Sequence, residues 1–78
     1  MQNQLDEIKE KLTKRIYILF LEQYDGNKLR FAKAVGCDEK TLRLIFDFNQ
    51  GMTLNLFFKI AKALKVEPSE LIKDLKLV

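Results

Sequence analysis

Asn27–Phe46, NKLRFAKAVGCDEKTLRLIF, is the stretch whose reading decides the fold. Its apolar residues take helical spacing twice. Phe31, Ala32 and Val35 share one face of a first segment, Lys28–Val35, and Leu42 and Ile45 share one face of a second. Between them, Gly36 supplies the positive φ that a tight interhelical turn needs. Asn27 and Asp38 have the short polar side chains that cap helix N-termini. Ala32 is small, so the second segment can approach the first closely. Leu42 and Ile45 then fill the angle between the two helices, and the outer face of the second is projected away from the body. This spacing predicts a helix-turn-helix.

The same stretch holds Lys28, Arg30, Lys33, Lys40 and Arg43 against Asp38 and Glu39, a balance of +3. The whole chain has 14 Lys and Arg against 11 Asp and Glu, also +3. The remainder therefore carries nine cations and nine anions, and all the excess positive charge sits on about a quarter of the chain. A basic helix-turn-helix on an otherwise neutral body implies a polyanionic partner, most simply DNA.

Upstream, Leu5, Ile8, Leu12, Ile16, Leu19 and Phe20 step by three and four toward Tyr24. They predict a long first helix over about residues 4–24. Asp25-Gly26 ends it, with Gly26 suited to a left-handed turn. Downstream, Asp47–Met52 reads as a polar loop interrupted by Phe48. Thr53 caps a fourth helix with Leu54, Phe57, Ile60, Ala61 and Leu64 on one face. Glu67-Pro68 opens a fifth, docked by Leu71, Ile72 and Leu75. No segment alternates with period two, so no sheet is expected. The 78 residues read as one all-α domain, 1–78, a compact five-helix bundle.

Two motifs in register carry a family resemblance. LRFAKAVGCDEKTLRLI, residues 29–45, resembles helix 2, the turn and helix 3 of the lambda-repressor-like family, also called Cro or Xre-type helix-turn-helix proteins. MTLNLFFKIAKALKVEPSELI, residues 52–72, resembles the family's helix 4 and the entry to its helix 5. The resemblance covers roughly Leu12–Leu75 and implies a sequence-specific DNA-binding transcriptional regulator, a phage-type repressor or small bacterial regulator. It implies the third helix in the major groove of double-stranded DNA, commonly in a homodimer. A spacing of about 100° per residue puts Glu39, Lys40, Arg43 and Leu44 opposite Leu42 and Ile45. Those four, with Asp38 at the helix start, would face bases. Lys40 or Arg43 would read guanine edges, and Glu39 or Asp38 would accept from cytosine N4. The resemblance places Asn27 and Lys28, then Asn49, Gln50 and Thr53, on phosphates. It also implies a cytoplasmic, nucleoid-associated setting in a bacterium or phage.

The chain departs from the family pattern in several places. The reading face opens on Asp38-Glu39, and Leu44 is apolar where a polar reader is common. Phe46 and Phe48 replace a polar residue and a glycine near the end of helix 3, so the following loop is expected to take a different path. The first helix is longer than usual by about two turns. Its Ile16–Leu21 segment is apolar around most of its circumference. With Leu44, Phe46, Phe48, Leu56 and Phe58, this is more apolar surface than such a core needs. A protein partner or a second copy is therefore expected on the first helix or on Phe46 and Phe48. The alternative reading is a protein-interaction module or antitoxin-like partner that keeps the fold with weakened DNA binding.

Other classes find little footing. Hydrophobic content of 47% and charged content of 32% are values of a globular chain. One cysteine, Cys37, excludes an internal disulfide, and with no histidine it argues against structural zinc. The only serine, Ser69, begins a predicted helix, and no base or nucleophile is positioned, so no enzyme and no cofactor are expected. Met-Gln-Asn-Gln-Leu-Asp-Glu is not a secretory start. The longest apolar run is six residues, whereas a membrane span needs about 20.

Overall fold

Five α-helices make up the computed structural model, which describes residues 4–48 and 50–76. They are α1 (Gln4–Tyr24), α2 (Lys28–Val35), α3 (Glu39–Phe46), α4 (Leu54–Leu64) and α5 (Pro68–Ile72), with no strand among the described residues. The Cα radius of gyration is 12.1 Å, close to the ~11.5 Å expected of a compact chain of this length.

Local chemistry sets most of the boundaries. Asn27 Oδ1 accepts from Arg30 N at 3.0 Å and starts α2. Thr53 Oγ1 accepts from Leu56 N at 3.1 Å and starts α4, each supplying one of the acceptors that a first turn lacks. Pro68 opens α5 at a position where its missing N–H costs nothing. Gly36 ends α2 at φ 91°, its N–H donating to Ala32 O at 2.8 Å. Asp38 occupies the cap position of α3 with extended backbone, but its side chain makes no capping hydrogen bond. The cap expected there is one of position only.

Four described residues take left-handed backbone without being glycine: Asp25, Phe48, Lys65 and Asp74. Phe48 turns the chain out of α3 at φ 61°, its N–H donating to Ile45 O at 3.0 Å. The exit thus keeps a left-handed turn with phenylalanine in the glycine's place. Lys65 ends α4 at φ 59°. Left-handed backbone costs a non-glycine residue about 1–2 kcal/mol, while glycine loses about 0.4–1 kcal/mol through unfolded-state freedom. Lys65 is exposed, so Lys65→Gly should raise stability by up to about 1 kcal/mol, read from urea unfolding midpoints; a lower midpoint would contradict this assignment.

A chain of five aromatic rings ties the first three helices together. Tyr24 meets Phe31 at 5.0 Å between centroids, Phe31 meets Phe20 at 5.0 Å, Phe20 meets Phe46 at 5.2 Å, and Phe46 meets Tyr17 at 5.1 Å. Phe20 and Phe31 are fully buried, alongside Ile16, Leu42, Ile60 and Leu64. Phe46 is therefore part of this packing, half-buried where α3 ends over α1. Phe48, by contrast, is half-exposed.

Two further expectations change. Leu54 stands 67% exposed at the start of α4, and Ile72 is exposed at the end of α5. Neither docks against the core; Ile72 stands about 100° round the helix from buried Leu71. Leu71 alone anchors α5 in the core, with Leu75 half-buried behind it.

Side chains of α1 complete the ends of the C-terminal helices. Gln23 Nε2 donates to Leu64 O at 2.7 Å and Tyr24 OH to Ala63 O at 2.8 Å. Arg15 Nη1 donates to Leu71 O at 3.0 Å and also reaches Lys73 O. The Ala63, Leu64 and Leu71 carbonyls lie in last turns, where no intrahelical donor remains, and Lys73 follows α5 as its cap. The 21-residue α1 is about 31 Å long at 1.5 Å per residue, against a longest molecular dimension of 36 Å. Its first turns thus project along the molecule, and Leu5 is left exposed.

Candidate nucleic-acid interface

The face of α3 away from the core carries the chemistry. Leu42 and Ile45 are sealed beneath it, at 0% and 1% exposure. A period of about 100° per residue then turns Lys40 and Arg43 outward, and both are exposed. Glu39 and Leu44 flank them, half-buried. Asp38 is exposed at the helix start. Since its carboxylate caps no N–H, the first-turn N–H groups of α3 have no side-chain acceptor from it.

The two outward cations differ in freedom. Arg43 Nη2 lies 3.3 Å from Glu39 Oε1, an i,i+4 pair in the favourable order. Both side chains are about half-exposed, so the pair is worth only about 0.3–0.5 kcal/mol, and a phosphate or base edge would compete for the guanidinium. Lys40 forms no ion pair among the described residues.

The five cations of the basic stretch also separate by role. Arg30 Nη2 donates to Gln23 O at 3.1 Å, and its guanidinium sits 5.3 Å from the centre of the Tyr24 ring. It pins α2 to the end of α1, with a cation–π contact adding to the hydrogen bond. Nothing in the spacing signals that role, since the partners meet only when the Asp25-Gly26 turn folds α2 back. Lys33 is exposed in the last turn of α2, and Lys28 is half-buried in its first.

Asn27 and Lys28 stand together at the start of α2. The Asn27 carbonyl oxygen is engaged as the cap, which leaves its amide N–H groups to face outward. Thr53 is likewise engaged through its oxygen and keeps a hydroxyl proton to donate. Gln50 lines a groove of about 750 Å³ between the N-terminal half of α1 and the α3–α4 loop, beside Ile45, Phe48 and Met52. The Gln50 side chain is exposed there. Asn49 lies outside the described residues.

Cys37, next to this face, is half-buried. Burial pushes its thiol up, Asp38 adds to the rise, and Lys59 opposes it. The thiol is therefore protonated at neutral pH and a poor nucleophile. Among the described residues no group of three His, Cys, Asp or Glu side chains is placed to hold a metal ion. No helix among them is long and apolar enough to cross a membrane.

Comparison with known proteins finds no matching family model, no matching curated protein and no matching solved structure.

Proposed function

We propose that the chain is a sequence-specific DNA-binding regulator of the lambda-repressor-like, Cro or Xre type. In this reading α2 and α3 form its helix-turn-helix and α3 enters the major groove. The observation that carries this is the outward display of Lys40 and Arg43 on a helix whose opposite face is sealed by Leu42 and Ile45. That display lies within the stretch that holds all the net positive charge. Lys40 and Arg43, with Asp38, Glu39 and Leu44 beside them, take the role of base readers. Asn27, Lys28 and Thr53 hold phosphates through their free donors, with Asn49 and Gln50 at the edge of the footprint. The reading needs no cofactor, metal or catalysis, and its working unit is a homodimer on a two-fold site.

Fluorescence anisotropy on random-sequence duplex DNA across a salt series tests it. Three to five phosphates neutralised would give a log–log slope of about −3 to −4.5. A flat response would overturn the reading. A second reading, a protein-interaction module of antitoxin-like type, draws on the Glu39–Arg43 pair, which offsets one of the two outward cations, and on apolar Leu44 beside Lys40. Binding that ignores salt and a protein-bound α3 face would favour it.

A further inference from the structure

The outer face of α1 carries an apolar centre bracketed by opposite charges in mirror order. Ile16 and Phe20 are fully buried on the inner face. At about 100° per residue, Ile18 points about 160–200° away from both, on the outer side of α1, where it borders a groove shared with Arg15, Lys65, Glu67 and Glu70. Ile18 is 55% exposed and Leu21, next to it on the same side, 43%. The exposed residues nearest Ile18 on this strip are Lys11 and Lys14 toward the N-terminus, with Glu7 one turn beyond them, and Glu22 toward the C-terminus, with Asp25 just past the helix end.

Their spacing about Ile18 is symmetric. Lys14 and Glu22 stand four residues to either side, and Lys11 and Asp25 stand seven. At 1.5 Å per residue Lys14 and Glu22 are each offset by about 6 Å and Lys11 by about 10.5 Å, while Asp25 lies one residue past the end of α1, in a left-handed turn at φ 53°. Among the described residues none of the four forms an ion pair within its own chain.

We infer that this face of α1 is a homodimer interface, occupied by α1 of a second copy running antiparallel across a two-fold axis at Ile18. A two-fold interface brings residue i of one copy to residue j of the other and j to i. With Ile18 on the axis, Lys14 meets Glu22 of the second copy and Lys11 meets its Asp25, each pair twice. The two Ile18 and two Leu21 side chains close against each other at the centre. The charges set the antiparallel register, because a parallel alignment would place lysine on lysine and carboxylate on carboxylate. Another exposed apolar pair, Leu54 and Phe58 on α4, borders on Lys59 and Lys62 and has no such self-complement. The assignment rests on the dimeric part of the function proposed above and not on DNA recognition.

Charge reversal tests the register. In DNA-free buffer of low ionic strength, sedimentation of the wild type should give twice the 9.2 kDa chain mass. Lys14→Glu and Glu22→Lys should each give single-chain mass, since each creates like-charge pairs in its own dimer. Mixed together, the two variants should restore the doubled mass, because every cross pair is again opposite in sign. The double variant should dimerise alone. Ile18→Asp should be monomeric with unchanged helical circular dichroism. A monomeric wild type would overturn the inference, as would single variants that still dimerise or a mixture that stays monomeric. Loss of DNA binding leaves these masses untouched, so the two readings fail separately.

Discussion

Phe20→Ala should remove most of the stability of this chain. Phe20 is fully buried and is the centre of the ring chain, packed on Tyr17, Phe31 and Phe46 from three helices. Truncating a core phenylalanine costs about 3–5 kcal/mol, the lost transfer energy plus the cavity left behind. A domain of this size has roughly 4–12 kcal/mol in total. The melting midpoint should therefore fall by roughly 12–40 °C in thermal circular dichroism. Phe48→Ala should move it by only a few degrees, since Phe48 is half-exposed and Phe20 carries the packing. A Phe20→Ala protein melting within a few degrees of wild type would mean that the ring chain does not hold α1, α2 and α3 together. Phe46→Asp falls with Phe20→Ala, because Phe46 closes on both Tyr17 and Phe20. That substitution therefore reports on the fold.

The second large effect concerns DNA. Lys40→Ala or Arg43→Ala should cost about 1–3 kcal/mol on the preferred sequence, and should relax the preference at one base position. Lys28→Ala should weaken all sequences alike and reduce the salt slope by about one. The difference follows from placement: Lys40 and Arg43 project from the middle of α3, and Lys28 stands at the start of α2 beside Asn27. Arg43→Ala should show the smaller loss of the two readers, because the guanidinium must first leave Glu39 at 3.3 Å. Selection of preferred duplexes followed by anisotropy on matched and mismatched sites separates the outcomes. If Lys28→Ala and Lys40→Ala change matched and mismatched binding equally, the division into readers and holders is wrong. Arg30→Ala belongs to neither group. Its guanidinium is tied to Gln23 and Tyr24, so its loss should lower stability and leave sequence preference unchanged.

The chain itself determined its helices, their order and most of their ends. Those features depend on contacts within about four residues: apolar spacing of three and four, Asn27 and Thr53 bonding the N–H three positions on, Gly36 at φ 91°. The charge asymmetry was equally plain, because a sum over residues needs no coordinates. Tertiary structure decided what periodicity leaves open. A helical period tells which residues share a face but not which of them a neighbouring helix covers. Leu54 therefore shares the apolar face of α4 and still meets solvent. The same period cannot tell that Phe46 at the end of α3 lands on Tyr17 and Phe20, some 26 to 29 positions away in sequence. Gln23, Tyr24 and Arg15 of α1 supply the carbonyl ends of α4 and α5 with donors across separations of 39 to 58 residues. Arg30, one of five equivalent cations in the composition, became a rivet once the Asp25-Gly26 turn set it over Tyr24. Hydrogen bonds and ring contacts of that reach are made by packing, and only the packed chain reveals which charges it leaves free for a partner.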